Sequence, residues 1–365
     1  MPLLLPLPGY TQSSSPEIRV QMSPASWQFD AGAVEFTTVE GKAAMKILNS
    51  RSQSILKNVT FTDGTIEYDM QPVDPRFTSV YFREQSDSMR ECFYFRTSRA
   101  GNNDAEDAVQ YAPFIRGVEL WDILPEYQSN AAYQRNKWNH IKLVISGKQM
   151  RVYVNSSAPT LVVPQLEGTT SAGAIGFDGQ VLISGLVIKP GATEGLSPMP
   201  GEDITGNDPR YLRKWEVSKQ FAYTEPGIDF DYRYMPDSAS LWDPITAERR
   251  GLVNLTRKFG GDFKRKITWL RTTINAASPL TKRLQLGFSD EVWVFVNRQL
   301  LYLDKNNYNQ LTMKAPAGRI SLDNASFDLP LKAGENEILI AVVNDFYGWG
   351  IIARLEDNYG ISLLR

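Results

Sequence analysis

Apolar and polar positions alternate with a period of two along most of the chain, and no convincing helical period spans a full window. In Gly64 to Met70, apolar Ile66, Tyr68 and Met70 interleave with Thr65, Glu67 and Asp69. Further β-rich runs are Ala43 to Leu48, Thr78 to Glu84, Arg90 to Arg96, Ile141 to Ser146, Met150 to Asn155 and Val181 to Ile188. Turn signals separate them at Asp63-Gly64, Gly101-Asn102-Asn103, Ser146-Gly147-Lys148 and Asp178-Gly179. A second set opens with Trp215 to Phe221 and continues through Ile267 to Ile274, Arg283 to Phe288, Val292 to Val296, Leu300 to Leu303, Ser326 to Leu329, Ile338 to Val343 and Gly350 to Glu356. Pro190 to Pro209 lies between the sets. It is rich in Gly, Pro, Ser and Thr and lacks periodic apolar residues, so it reads as a linker or surface strap.

This patterning predicts an all-β protein of two antiparallel β-sandwich (jelly-roll) domains. The expected division is a flexible lead at 1–26, a first sandwich at 27–189, a linker at 190–210 and a second sandwich at 211–365. Residues 210–266 are less regular, with a short helix expected near Thr246 to Arg250.

Composition narrows the function. The 365 residues are 42% hydrophobic and 11% aromatic, enough for two packed cores. A net charge of −2 argues against a nucleic-acid partner, which requires an excess of Lys and Arg. The basic run Lys264-Arg265-Lys266 reads as a solvated loop. No segment is long and apolar enough for a membrane-spanning helix, and no clear signal peptide is present. The single cysteine, Cys92, excludes an intrachain disulfide, and the single histidine, His140, excludes a multi-histidine metal site. His140 reads as a strand residue with a satisfied hydrogen bond.

The first region resembles a concanavalin A-like lectin/glucanase domain of the laminin G and keto-disaccharide hydrolase type. The carrying residues are Gly64 to Met70, Val80-Tyr81-Phe82-Arg83, Tyr94-Phe95-Arg96, Val109-Gln110-Tyr111, Trp138 to Val144, Val152-Tyr153-Val154 and Gly176-Phe177. The second region resembles the galactose-binding-like β-sandwich that accompanies many glycoside hydrolases, through Gly251 to Leu255, Leu286 to Asn297, Leu331 to Asn344 and Gly348-Trp349-Gly350. The resemblance implies carbohydrate handling, an oligo- or polysaccharide partner and a periplasmic or extracellular location. The first fold hosts lectins, hydrolases and adhesion modules alike, so the site must decide.

Saccharide capture calls for directed hydrogen-bonding groups and a ring that offers its apolar face. Arg83, Glu91, Arg96, Gln110 and Trp121 are expected to gather on a concave sheet of the first sandwich. Asn344, Tyr347 and Trp349, beside Gly348 and Gly350, form a second candidate cluster in which Trp349 would stack on a sugar. A glycoside hydrolase or lyase needs paired carboxylates, for which Glu84, Glu91 and Glu119 are the candidates. Glu67-Tyr68-Asp69 puts two carboxylates on one strand face, but without the following Glu of the glucanase motif it reads as a solvent-facing edge. A protein-interaction module without a sugar is the third reading. No cofactor is implied beyond a structural calcium, for which Asp290 is the candidate ligand, against a turn-capping role. Asn-x-Ser/Thr sequons occur at Asn58, Asn155, Asn254 and Asn324.

Overall fold

The computed structural model describes residues 16–50, 52–224, 232–237, 240–261 and 264–363. Within these, antiparallel strands form four sheets, two drawn from residues 18–190 and two from 214–363. The all-β sandwich expectation holds.

In the N-terminal sandwich, one sheet runs Leu161–Val163, Gln149–Val154, Asn139–Ser146, Gly64–Pro72, Val181–Pro190, Lys42–Ile47, Val34–Val39. The facing sheet runs Val118–Glu119, Phe114–Ile115, Met89–Arg96, Phe77–Ser86, Ala174–Asp178, Gln53–Leu56, Trp27–Gln28, with Val109–Tyr111 also paired to Met89–Arg96. Alternation sorts each strand between core and outside. Ile66, Tyr68 and Met70 meet Val80, Phe82, Phe93 and Phe95 in one buried cluster. Glu67 and Asp69 point away, Glu67 to Lys189 at 3.0 Å and Asp69 to the exposed His140 at 3.0 Å. Of the expected lead at 1–26, residues 1–15 lie outside the described residues, and Ile18–Arg19 pairs with Ile188 and Val187.

The C-terminal sandwich sets the sheet Trp242–Thr246, Lys214–Ser218, Lys266–Ala276, Gly334–Asn344, Glu291–Val296, Gln299–Lys305 against Leu252–Asn254, Gly350–Leu355, Leu280–Ser289, Ala325–Leu331. Its core holds Leu270, Leu286, Phe288, Val292, Ile340 and Trp349. The helix expected at 246–250 is absent. Trp242–Thr246 is a strand, Arg249–Gly251 is a 3-10 turn, and Arg250 has φ 59°. The α-helix begins at Leu255 and ends at Phe259, where the Asn254 side chain accepts the Arg257 amide at 2.9 Å.

The two sandwiches pack on one another. Leu252 and Ile320 enter the N-terminal core cluster, and Arg257 Nη2 donates to the Glu167 carbonyl at 2.9 Å. The segment between them hugs the surface, with Leu196 buried against Val144 and Tyr153.

Candidate functional site

The face of the sheet turned away from the N-terminal core is set by strand parity. With Val80, Phe82, Phe93 and Phe95 inward, Ser79, Tyr81, Cys92, Tyr94 and Arg96 must point outward. Tyr81 lies opposite Cys92 and Ser79 opposite Tyr94, while Tyr94 faces Gln110 on the next strand. Tyr81, Cys92, Tyr94 and Trp121 form a separate cluster with Phe114 and Tyr347 packed against it.

A buried polar network stiffens this face. Arg96 Nη2 donates to Tyr94 Oη at 2.8 Å and to Gln110 Oε1 at 2.7 Å, and Nη1 donates to the Asp107 carbonyl at 2.7 Å. Gln110 Nε2 donates in turn to the Trp121 carbonyl at 2.7 Å. Gln110 is fully buried and lies beneath the surface, where it fixes Arg96 and the Trp121 backbone at once.

The C-terminal sandwich supplies the opposing wall. Buried Asp290 accepts the amides of Asp345 and Phe346, the latter at 2.8 Å, and the Ser289 hydroxyl at 2.9 Å. That pins the loop carrying Phe346 and Tyr347. Asp122, directly after Trp121, accepts the Gly348 amide at 3.1 Å, and its carbonyl accepts the Ile320 amide at 2.9 Å. Gly348 eases this approach, because a Cβ there would lie 2.7 Å from Asp122 Oδ1 and force that carboxylate to shift. The aromatic groups meet as a result. Tyr308 lies edge-on to Trp121 with centroids 4.9 Å apart, Tyr347 is 6.0 Å from Trp121, and Tyr308 stacks on Phe346 at 5.6 Å.

Between these walls is a cavity of 590 Å³, within the usual range of a small-molecule site. Phe77, Tyr81, Tyr94, Phe114 and Trp121 line it from one side and Tyr308, Phe346 and Tyr347 from the other. Its polar groups are Ser79, Arg96, Ser98, Arg99, Asp107, Glu119, Asp178 and Arg319. Arg99 pairs with Asp107 at 2.9 Å. Tyr81 Oη donates to Asp178 at 2.6 Å. Burial raises the Asp178 carboxyl above its ordinary value. Glu119 keeps some access to the cavity, yet burial, with repulsion from Asp178 second, pushes its carboxyl up to about 8. It is therefore mostly protonated at pH 7, able to donate a proton or a hydrogen bond.

The residues singled out in the sequence divide. Arg96, Trp121, Tyr347 and Glu119 line the cavity, and Gln110 lies under them. Arg83 and Glu91 do not join the group. The strand pairing shifts register after Phe82 and Arg83 takes φ 49°. Its guanidinium thereby turns to the Thr62 carbonyl at 2.8 Å, the Gly147 carbonyl at 2.9 Å and Asp63 at 2.6 Å. Glu91 shares the parity of Phe93 and Phe95, so it points inward and accepts from Tyr111 Oη at 2.6 Å. Burial raises its carboxyl. Glu84 pairs with Gln53 at 2.6 Å and Arg90 at 3.2 Å and does not line the cavity.

The second cluster is also split. Trp349 is buried in the C-terminal core with Nε1 donating to the Gly260 carbonyl at 3.0 Å, so its ring cannot meet a ligand from solvent. Asn344 accepts the Lys266 amide at 2.7 Å at a strand end. Asp290 directs its carboxylate at backbone amides and the Ser289 hydroxyl, which anchors the loop, and burial raises it to about 7. Among the described residues, no group of three or more His, Cys, Asp or Glu side chains is placed to hold a metal ion.

Sequence reading missed Tyr81, Tyr94 and Asp178, and on the opposite wall Tyr308, Arg319 and Phe346. Parity with Arg96 points to Tyr94 and, through the paired strand, to Tyr81. Tyr308 and Arg319 stand in the irregular stretch 306–324, more than 180 positions from Trp121, and no local pattern marks them.

No family model and no curated protein matches the chain. Among solved structures, the carbohydrate binding module CBM66 of Bacillus subtilis is 18% identical, with 45% of this chain and 92% of that one covered and a TM-score of 0.30. The Bacillus licheniformis beta-glucanase is 11% identical, with 48% and 98% covered and a TM-score of 0.34. A family 35 carbohydrate binding module from an environmental isolate is 23% identical, with 26% and 69% covered and a TM-score of 0.21. At these scores none of the three bears on what the cavity holds.

Proposed function

We propose that the protein captures a saccharide in the cavity between the two sandwiches. One observation carries this reading: aromatic rings from both sandwiches face a cavity whose floor holds a rigid set of Arg, Tyr and Gln groups. Sugar rings present apolar C–H faces and a fringe of hydroxyls. Aromatic rings remove the first from water, and fixed donors and acceptors replace the hydration of the second. On this reading the N-terminal half acts as a concanavalin A-like module. The galactose-binding-like second half is a wall of the same site, not a separate binder. A periplasmic or extracellular location fits such a ligand.

The test is titration calorimetry of the full chain against a panel of oligosaccharides. Saturable binding by one sugar class, lost on widening the cavity wall, supports capture. A flat response across classes, with a stable protein complex instead, favours an interaction module.

A second reading is favoured by Glu119. A carboxyl held protonated beside the Asp178 carboxyl has the ingredients of acid–base cleavage by a glycoside hydrolase or lyase. Release of new chain ends, abolished by Glu119→Gln with binding retained, would establish it. Binding without turnover would leave capture alone.

A further inference from the structure

Arg319 is out of place in any purely structural account. Its side chain is only 4% exposed, yet among the described residues its guanidinium donates no hydrogen bond and has no carboxylate within salt-bridge reach. It lies over the Trp121 ring, 5.1 Å from the centroid, and forms part of the cavity wall. Withdrawing a cation from water without giving it a partner charge is unfavourable, and here the cavity is the one side left open to it. Its neighbours make matters worse. Arg96 and Arg99 line the same cavity, and the Asp107 carboxylate is held by Arg99 at 2.9 Å and lies 4.0 Å from Arg96. The Asp178 carboxylate on the same wall is engaged by Tyr81 Oη at 2.6 Å and by the charge of Arg90, so it too is taken. Glu119, also on the wall, does not correct the balance because it is mostly protonated near neutrality. Burial and Arg96 together depress Arg319 below its ordinary value, the direction expected of a cation awaiting its counter-ion.

We propose that the saccharide taken by this cavity is acidic, and that its carboxylate or sulfate group pairs with Arg319 over the Trp121 ring. The proposal rests on the capture reading above and names its ligand class. A planar guanidinium with free N–H groups matches either anion, and its position on an aromatic ring holds the plane for approach from the cavity side. Neutral sugars would leave the charge uncompensated. An acidic unit supplies the missing partner and should bind with a marked dependence on salt.

The experiment uses the full chain and matched probes. Trisaccharides of galacturonate, glucuronate and mannuronate are titrated beside their methyl esters, which keep the skeleton and remove the charge, and beside sulfated neutral trisaccharides. At least one acid form is expected to bind tenfold or more tightly than its ester, or one sulfated form to do so over its parent. Whichever arm shows the gain identifies the anion. Arg319→Met should erase the gain while the weaker ester binding survives, and Arg319→Lys should keep part of it. Arg319→Met should also melt at or above the parent temperature, because it removes an unpaired buried charge, and this keeps the comparison on folded protein. Equal affinity for charged and uncharged forms, or a preference that persists in Arg319→Met, overturns the proposal while leaving saccharide capture intact. Binding of no probe, charged or neutral, overturns both.

Discussion

Replacement of Glu119 by Gln removes one titrating group and leaves its size and neutral polarity nearly unchanged. The carboxyl sits at about 8 in the folded protein against 4.5 for an ordinary glutamate, a difference of about 3.5. The folded state therefore holds this proton more tightly than the unfolded state. Its contribution to stability is complete below pH 4.5 and is lost as pH rises through 8. At ~1.4 kcal/mol for each pKa step the full linkage is about 5 kcal/mol. Glu119 retains water contact through the cavity, so screening reduces this to roughly 1–3 kcal/mol. For a sandwich of this size, that corresponds to roughly 2–10 °C in melting temperature. Asp290 and Glu167, both pushed to about 7 by burial, pull in the same direction but do so in parent and variant alike. The assay is thermal melting of parent and Glu119→Gln at pH 5 and pH 9. The parent should lose several degrees more than the variant across that interval, with the two curves close together at pH 5. Parallel losses would refute the account of Glu119 as a carboxyl desolvated beside Asp178.

Three further substitutions separate the cavity from the scaffold. Tyr308→Ala removes a rim ring that is 42% exposed, so saccharide affinity in calorimetry should fall on the order of tenfold with little change in melting. Arg83→Met strips the buried contacts to Thr62, Gly147 and Asp63, and denaturant unfolding should show a loss of about 2–4 kcal/mol with saccharide affinity unchanged per folded molecule. Trp349→Ala empties a core position of the C-terminal sandwich and should cost about 3–5 kcal/mol in the same assay, whereas a ring that stacked on sugar from solvent would lose affinity and little stability.

The architecture was legible because antiparallel sandwiches write their faces into the sequence two residues at a time. Gly64–Pro72 and Gly334–Asn344 show it, with buried positions alternating or continuous according to whether one face or both are covered. The same rule would have separated Glu91 from Arg96, which stand five positions apart on one strand and so face opposite ways. Arg83 breaks the rule through the register shift after Phe82, and a bulge leaves no reliable mark in residue type. Trp349 carried a loop-like glycine context on both sides, but Gly348 serves close approach to Asp122, and Gly350 would place a Cβ 2.4 Å from the Val253 carbonyl oxygen. The glycines admit backbone; they do not expose the indole. Half of the cavity was beyond reach for a different reason. It exists only where two sandwiches meet, and Tyr308 and Arg319 gain their meaning from Trp121 across that seam.

The most direct measurement is a crystal structure of the full chain with a saccharide that saturates it in solution. The sugar should lie in this cavity against the exposed ring of Tyr308, within hydrogen-bond reach of Arg96 and Glu119. A sugar seated on another surface at full occupancy, with this cavity holding only solvent, would contradict the account.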